Sequence, residues 1–113
     1  MVNIVKYSDF EGNVGQKVKI NGKIAKEIWQ HLTTFFDSFP YMNYFDLDDG
    51  YQIVIYTNDS ISCEGKVEII GELIKVEGSR KNPRSKINDE YFEYQLLVDS
   101  WKCIERNEMG KLK

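Results

Sequence analysis

Two segments in which apolar and polar residues alternate flank the tripeptide Asp48-Asp49-Gly50. Alternation with period two is typical of strands, and a short connection containing glycine between two such segments predicts a β-hairpin. A three-residue connection puts Leu47 opposite Tyr51, whereas a two-residue connection puts it opposite Gln52. The first register gathers the apolar side chains on one face: Phe45, Leu47, Ile53 and Ile55. We therefore predict a three-residue turn with a positive φ angle at Gly50.

The carboxylates of this turn also suggest a cation-binding loop. An EF-hand loop requires glycine at its sixth position and glutamate at its twelfth. Counted from Asp46, glycine is fifth and Thr57 is twelfth. Aspartate is favoured in turns because its side chain bonds the nearby main chain. We therefore predict a turn and no metal site.

Further runs rich in Val, Ile, Tyr and Phe, separated by Gly, Asn, Asp and Pro, predict an all-β chain with little or no helix. We expect five strands, at about 17–31, 41–48, 51–57, 66–77 and 91–104. The first is long, and its central Gly22 indicates a bend or bulge. Alternatively, Asn21-Gly22 is the turn of a hairpin. We favour the bent strand, because the hairpin would leave a first arm of only residues 16–20.

The chain has 113 residues, of which 42% are hydrophobic, so one domain can bury a core without a disulfide or a metal. We expect that domain to span residues 1–113, with its core at about 16–105 and a frayed tail at 106–113. Cys63 and Cys103 are far apart and His31 is the one histidine, so we expect two reduced thiols, no zinc site and no cofactor. The sequence has no long apolar stretch and no signal peptide pattern, which predicts a cytoplasmic protein without a membrane partner.

Four stretches follow one another in an order that is informative about the fold: GKIAKEI, YFDLDDGYQIVIY, CEGKVEIIGELIKVEG and EYQLLVDSWKCIE. This series resembles the nucleic-acid-binding OB-fold domains of replication protein A and of anticodon-binding proteins. The resemblance covers about residues 16–105 and consists of patterns of residue class. It implies a five-stranded Greek-key OB-fold barrel whose ligand lies across strands two and three, flanked by the loop after strand one and the loop before strand five.

The hairpin face opposite the apolar one would then contact the ligand. Aromatic rings on such a face stack with bases, at about 1–3 kcal/mol per base. If the first strand keeps its alternation past Gly22, two of its last residues also point outward. The predicted contacts of this face are Trp29, His31, Phe36, Tyr44, Val54 and Tyr56. The alternative is that the rings are packing residues covered by the connection that contains Phe35, Phe36 and Phe39.

A second candidate element is the predicted loop Gly78 to Asn88, which contains four cations and no acid. The whole chain has 15 Lys and Arg against 18 Asp and Glu, so it is acidic, and a polyanion would need such a local patch. The predicted phosphate contacts are Arg80, Lys81, Arg84 and Lys86. A solvated loop without a ligand is the alternative.

These observations predict a protein that binds single-stranded nucleic acid, DNA in preference to RNA, without catalysis. The alternative is an OB-fold subunit that binds a protein partner in a DNA replication or repair complex, which the overall acidity and the three phenylalanines of the connection favour. An enzyme is the least favoured class, because the spacing of the residues indicates no Ser/His/Asp or Cys/His arrangement.

Overall fold

The computed structural model describes residues 1–81 and 88–105, and these residues form an all-β fold. Their elements are β1 Val2–Ile4, a 3₁₀ turn Tyr7–Asp9, β2 Lys17–Ile24, β3 Tyr41–Leu47, β4 Gln52–Thr57, β5 Lys66–Lys81 and β6 Asn88–Glu105. The all-β prediction is confirmed. The short β1 was not predicted, because three residues are too few to show alternation.

The six strands form one sheet in the order β1-β2-β3-β4-β6-β5, and an additional pairing of β2 with β5 partly closes it into a ring. The β4–β6 pairing is parallel, through Ile55 with Leu96 and Tyr56 with Leu97. On β2, residues 22–24 pair with β3, while β1 runs parallel to residues 18–20. Thus β1 and β3 pair with successive parts of β2, which protects main-chain groups that an open strand would expose.

The β3–β4 hairpin has the predicted register. Phe45 pairs with Ile53, Tyr44 with Val54 and Asp46 with Gln52, and Gly50 has a φ angle of 96°. The predicted inward face is also correct, because Phe45, Leu47, Ile53 and Ile55 all belong to the buried core. Alternation of apolar residues was therefore sufficient to place this hairpin.

Two strand glycines permit close contact between neighbouring strands. A Cβ atom on Gly22 would lie 2.6 Å from Cε2 of Phe45, and one on Gly71 would lie 2.8 Å from Cα of Val98. The β5–β6 register also shifts between Ile70 and Gly71, as expected at a β-bulge. At Gly22 the strand continues, so the prediction of one strand through Gly22 is confirmed over the hairpin turn.

The core lies inside the ring, and Phe10, from the segment after the 3₁₀ turn, is fully buried in it. Around Phe10, the rings of Tyr7 and Tyr94 pack edge to face at 5.2 and 5.7 Å. Strand β4 is buried along its whole length, on both faces. Its odd-numbered residues face the core, so another element must cover its even-numbered ones.

Strand β2, the first of the five predicted strands, ends earlier than expected, at Ile24 and not near His31. After the amide of Ala25 donates to the carbonyl of Tyr44, the chain leaves the sheet. Continued in the same register, Trp29 would lie opposite Pro40, which has no N–H to donate. The alternation assumed for Trp29 and His31 therefore does not apply.

The loop predicted between Gly78 and Asn88 is also shorter than expected, because β5 continues to Lys81 and β6 begins at Asn88. Ser79 pairs with Glu90 and Arg80 with Asp89. Pairing with β6 extends β5 beyond its predicted end, which the absence of alternation in the loop did not reveal.

The two cysteines form a disulfide bond between Cys63 and Cys103, so the prediction of reduced thiols is wrong. Cys103 pairs with Val67 at the start of β5, and Cys63 precedes that strand by three residues. The Cα atoms are 5.9 Å apart, within the range that a disulfide spans. A separation of 40 residues in sequence concealed this proximity.

Candidate functional site

The outer face of β3, β4 and β6 is covered by the irregular segment between β2 and β3. We call this segment, residues 25–40, the cover. It lies on the even-numbered residues of β4, which explains why Gln52, Val54 and Tyr56 are at most 5% exposed. The cover itself is mostly exposed, with Leu32, Phe36 and Phe39 half-buried.

The side chain of Gln52 on β4 binds the main chain of the cover close to its N-terminal end. The amide of Gln52 contributes both of its groups, since Nε2 donates to the carbonyl of Glu27 at 2.9 Å and Oε1 accepts from the amide of Trp29 at 2.9 Å. Gln52 Nε2 also donates to Asp46 Oδ1 at 2.8 Å. These bonds fix the orientation of the Gln52 amide.

A second set of bonds holds the middle of the cover to β6 and β4. The amide of Leu32 donates to Glu93 Oε2 at 2.8 Å, and its carbonyl accepts from Gln95 Nε2 at 2.7 Å. The amide of Thr34 donates to the hydroxyl of Tyr56 at 3.1 Å, and that hydroxyl donates to Gln95 Oε1 at 2.7 Å. The strands thus recognise the cover mainly through its main chain.

His31 is the side chain of the cover that enters this network. Its Nδ1 lies 2.9 Å from Glu93 Oε1 and its Nε2 lies 3.0 Å from Gln52 Oε1. The ring is tilted against Tyr44 at a centroid distance of 5.6 Å, and the side chain is 9% exposed. His31 therefore links β3, β4 and β6 through the cover.

The predicted stacking rings are divided between exposed and buried positions. Trp29 is 50% exposed, and Tyr44 is half-buried beside His31. Phe36 packs edge to face on Tyr56 at 5.0 Å. Tyr56 and Val54 do face away from the core, as alternation predicted, but the cover buries them. For these two residues the geometry is that of the packing alternative.

Burial has a chemical consequence for Tyr56. Loss of hydration raises the pKa of its hydroxyl above the ordinary value, partly offset by the amide of Thr34 and reinforced by the negative charge of Glu93. Tyr56 is therefore a neutral hydrogen-bonding group of the network at physiological pH.

Two of the four predicted phosphate contacts lie at the end of β5. Arg80 and Lys81 are residues of β5, while Arg84 and Lys86 lie outside the described residues. Asp89 is the register partner of Arg80, so the hairpin carries acidic as well as basic positions.

The acids of the hairpin turn have separate structural partners. Asp49 accepts from the amides of Tyr7 and Tyr51, at 2.8 and 3.0 Å, and Asp48 pairs with Lys66 at 3.2 Å. Within residues 1–81 and 88–105, no group of three His, Cys, Asp or Glu side chains is arranged to hold a metal ion.

Sequence reasoning missed the residues that hold the cover: Gln52, Glu93, Gln95 and the main chain of residues 27–34. Alternation did place Gln52 on the outer face, and the same signal was present for Glu93 and Gln95 on either side of Tyr94. Their partners could not be found in this way, because the cover has no periodicity that positions it.

Comparison with models of known protein families, with curated proteins and with solved structures found no match. In the part of the chain that the structure describes, no helix is long and apolar enough to cross a membrane.

Proposed function

We propose that this protein is a non-catalytic OB-fold module that binds single-stranded nucleic acid, DNA in preference to RNA, on the face formed by β3, β4 and the cover. The observation that carries the proposal is the order of strands in the ring. Strands β2, β3, β4, β6 and β5 follow one another around it, and β2 pairs with β5. An OB-fold is a partly open five-stranded Greek-key barrel, and this order supports that assignment.

The positions of the exposed rings support the same proposal. In an OB-fold the ligand contacts strands two and three and the loops after strand one and before strand five. Here β3 and β4 are the second and third strands of the ring, and the cover follows the first. Trp29, Phe35 and Tyr41 are 50, 69 and 49% exposed, respectively, on the cover and at the start of β3. Exposed rings of this kind provide stacking surfaces for bases.

The electrostatics restrict how strongly the described residues attract a polyanion. Lys17, Lys19 and Lys66 each form an ion pair with an acid, and His31 faces Glu93. We therefore expect stacking to supply most of the affinity. The cations that follow Arg80, whose register partner is Asp89, would supply the part of the affinity that depends on salt concentration.

The test is a fluorescence anisotropy titration of labelled oligo-dT of about 15 nucleotides, close to the longest site of a single OB-fold. Trp29→Ala should weaken binding about 5- to 150-fold, which corresponds to about 1–3 kcal/mol for one stacked base. Tyr51→Ala is the matched control, because Tyr51 is 55% exposed but its ring stacks on Tyr7, a residue outside the cover. Tyr51→Ala should leave the affinity unchanged.

Neutralising Arg80, Lys81, Arg84 and Lys86 together tests the phosphate contacts. If all four engage phosphates, the slope of log affinity against log salt should flatten by about 3. Absence of binding to oligo-dT at low salt, or equal losses for Trp29→Ala and Tyr51→Ala, would contradict the proposal.

The second candidate is a subunit that binds a protein partner in a replication or repair complex. The observation that favours it is the concentration of exposed apolar side chains on the cover, where Ile28, Trp29 and Phe35 are 66, 50 and 69% exposed. Such patches commonly mark protein interfaces. In that case, the protein should show no affinity for oligo-dT at any salt concentration, while Trp29→Ala should reduce recovery of a specific partner.

The proposal keeps the cytoplasmic location expected from the sequence. The disulfide between Cys63 and Cys103 weighs against it, because most cytosolic proteins hold their cysteines reduced.

A further inference from the structure

An aromatic cavity lies between the segment of the 3₁₀ turn and strand β6. Its volume is about 350 Å³, at the lower end of the range of small-molecule sites. The described residues that line it are Tyr7, Ser8, Glu11, Phe92 and Tyr94. None of these five residues belongs to the cover or to β3 and β4, so the cavity is separate from the proposed nucleic-acid site.

Three aromatic rings form the walls of this cavity. Phe92 and Tyr94 point to the same side of β6, because residues two apart in a strand share a face. The ring centroid of Tyr94 lies 5.4 Å from that of Phe92 and 5.8 Å from that of Tyr7, with interplanar angles of 72° and 61°. Neither neighbour lies flat on Tyr94. The three rings therefore line a concave space and do not form a continuous stack.

Two of the rings are held in place by the core before any ligand binds. Tyr7 and Tyr94 both contact Phe10, which is fully buried, at centroid distances of 5.2 and 5.7 Å. Tyr51 also stacks on Tyr7, at 4.8 Å and 22°. A pre-organised site loses little conformational entropy on binding. Tyr7 and Tyr94 are thus fixed walls, and Phe92, which is 47% exposed, completes the cavity toward solvent.

The charge of the cavity favours a cation. Among the described residues that line it, Glu11 is the one charged group, and it is exposed. Burial raises the pKa of Tyr7 above its ordinary value, so the hydroxyl of Tyr7 is neutral at physiological pH. The faces of aromatic rings carry partial negative charge. Ring faces and carboxylate therefore both attract positive charge and disfavour an anion.

Phe92 already contacts a cation within the protein. Nζ of Lys75 lies 4.3 Å from the centroid of the Phe92 ring, which is within the distance of a cation–π interaction. Lys75 also pairs with Glu77 at 3.6 Å, and it is not one of the described residues that line the cavity. The Phe92 ring thus stabilises positive charge in this structure. A cation in the cavity would compete with Lys75 for the same ring.

From this geometry we propose that the cavity binds a methylated ammonium group. A lysine ammonium has three N–H donors that need acceptors, whereas a quaternary ammonium has none and can enter a cavity lined mostly by rings. Its methyl groups would pack against Tyr7, Phe92 and Tyr94, while its charge would face the rings and Glu11. Choline-like small molecules and trimethylated lysine side chains carry the same group. This site is independent of the proposed nucleic-acid binding.

The primary test is a ¹H–¹⁵N NMR titration with choline chloride up to millimolar concentrations, with sodium chloride as the ionic-strength control. The matched probe is dimethylbutanol, in which carbon replaces the choline nitrogen, so that the shape is kept and the charge is lost. The amides of Ser8, Glu11 and Tyr94 should shift and saturate with choline. Dimethylbutanol should bind at least about twofold more weakly. Equal affinities, or no saturable shift with choline, would overturn the proposal.

Four variants test the assigned residues. Phe92→Leu keeps an apolar side chain but removes the ring, and it should weaken choline binding about 2- to 30-fold. Phe35→Leu is the matched control, because Phe35 is 69% exposed on the cover, and it should leave choline binding unchanged. Glu11→Gln should weaken binding, whereas Lys75→Gln should strengthen it by removing a competing charge. Equal losses for the two phenylalanine variants, or a weaker affinity in Lys75→Gln, would refute the cage.

A further titration identifies the source of the ammonium group. A short peptide with trimethyllysine and the same peptide with unmodified lysine are compared with choline. Tighter binding of the trimethyllysine peptide than of choline assigns the group to a protein side chain, and the reverse order assigns it to a small molecule. Preference for unmodified lysine would overturn the proposal.

The two sites can be tested separately. Phe92→Leu should leave the affinity for oligo-dT unchanged, and Trp29→Ala should leave the affinity for choline unchanged. Choline binding without oligo-dT binding would support the cage and overturn the proposed function. Oligo-dT binding without choline binding would do the opposite.

Discussion

Replacing Cys63 and Cys103 together by serine should remove a large part of the stability of this protein. The disulfide joins residues separated by 40 positions, and it therefore restricts the unfolded chain far more than the folded one. For a closed loop of that length, the chain-entropy relation gives a loss of about 4 kcal/mol on removal. With about 4 °C per kcal/mol for a chain of 113 residues, the melting temperature should fall by about 15 °C.

The assay is urea unfolding of the wild type and the double variant, with and without a reducing agent. Without reductant, the variant should lose about 4 kcal/mol, and its m-value should be larger because its unfolded chain is less compact. With reductant, the wild type should fall to the value of the variant, which itself should not respond. The reasoning would be refuted by equal unfolding free energies without reductant together with two titratable thiols in the folded wild type.

Two further predictions concern tyrosine ionisation and the replacement of one strand glycine and one turn glycine. Burial raises the pKa of Tyr7 and of Tyr56 above 10.0. The contribution of their neutral hydroxyls to the free energy of unfolding is therefore complete below pH 10.0 and is lost as the pH rises through the folded-state pKa values. Urea unfolding at increasing alkaline pH should show this decline, and Tyr56→Phe should make it shallower; an equally steep decline would contradict it. Gly71→Ala should cost about 3 kcal/mol or more, because the new Cβ would collide with the carbonyl group of Leu97. Gly50→Ala has open space and a φ angle of 96°, so the backbone cost alone, about 1–2 kcal/mol, should appear in the same assay. Equal losses for the two glycines would refute the distinction.

The strands could be predicted where residue type alternates and a turn fixes the register. The β3–β4 hairpin is the best example, since its facing pairs, its inward face and the positive φ angle of Gly50 all followed from the sequence. Prediction failed where a partner strand decides the length of its neighbour. Thus β2 ends at Ile24, and β5 continues to Lys81 through pairing with β6.

The candidate site was predictable only in part. Alternation correctly placed Tyr44, Val54 and Tyr56 on the face opposite the core. It could not show that Val54 and Tyr56 would be buried, because the cover is held by long-range bonds such as that of Leu32 to Glu93, 61 residues away. Whether this face binds nucleic acid stays a prediction.

The sequence by itself determined the all-β class, the hairpin register and the continuation of β2 through Gly22, because these depend on local alternation and backbone geometry. The tertiary structure alone decided the contacts between distant segments. It brought Cys63 to Cys103, and it set the His31 ring between Glu93 and Gln52, within hydrogen-bond distance of both. Neither contact leaves a signal in residue type or spacing, since each depends on where the closing sheet brings residues that are far apart in the chain.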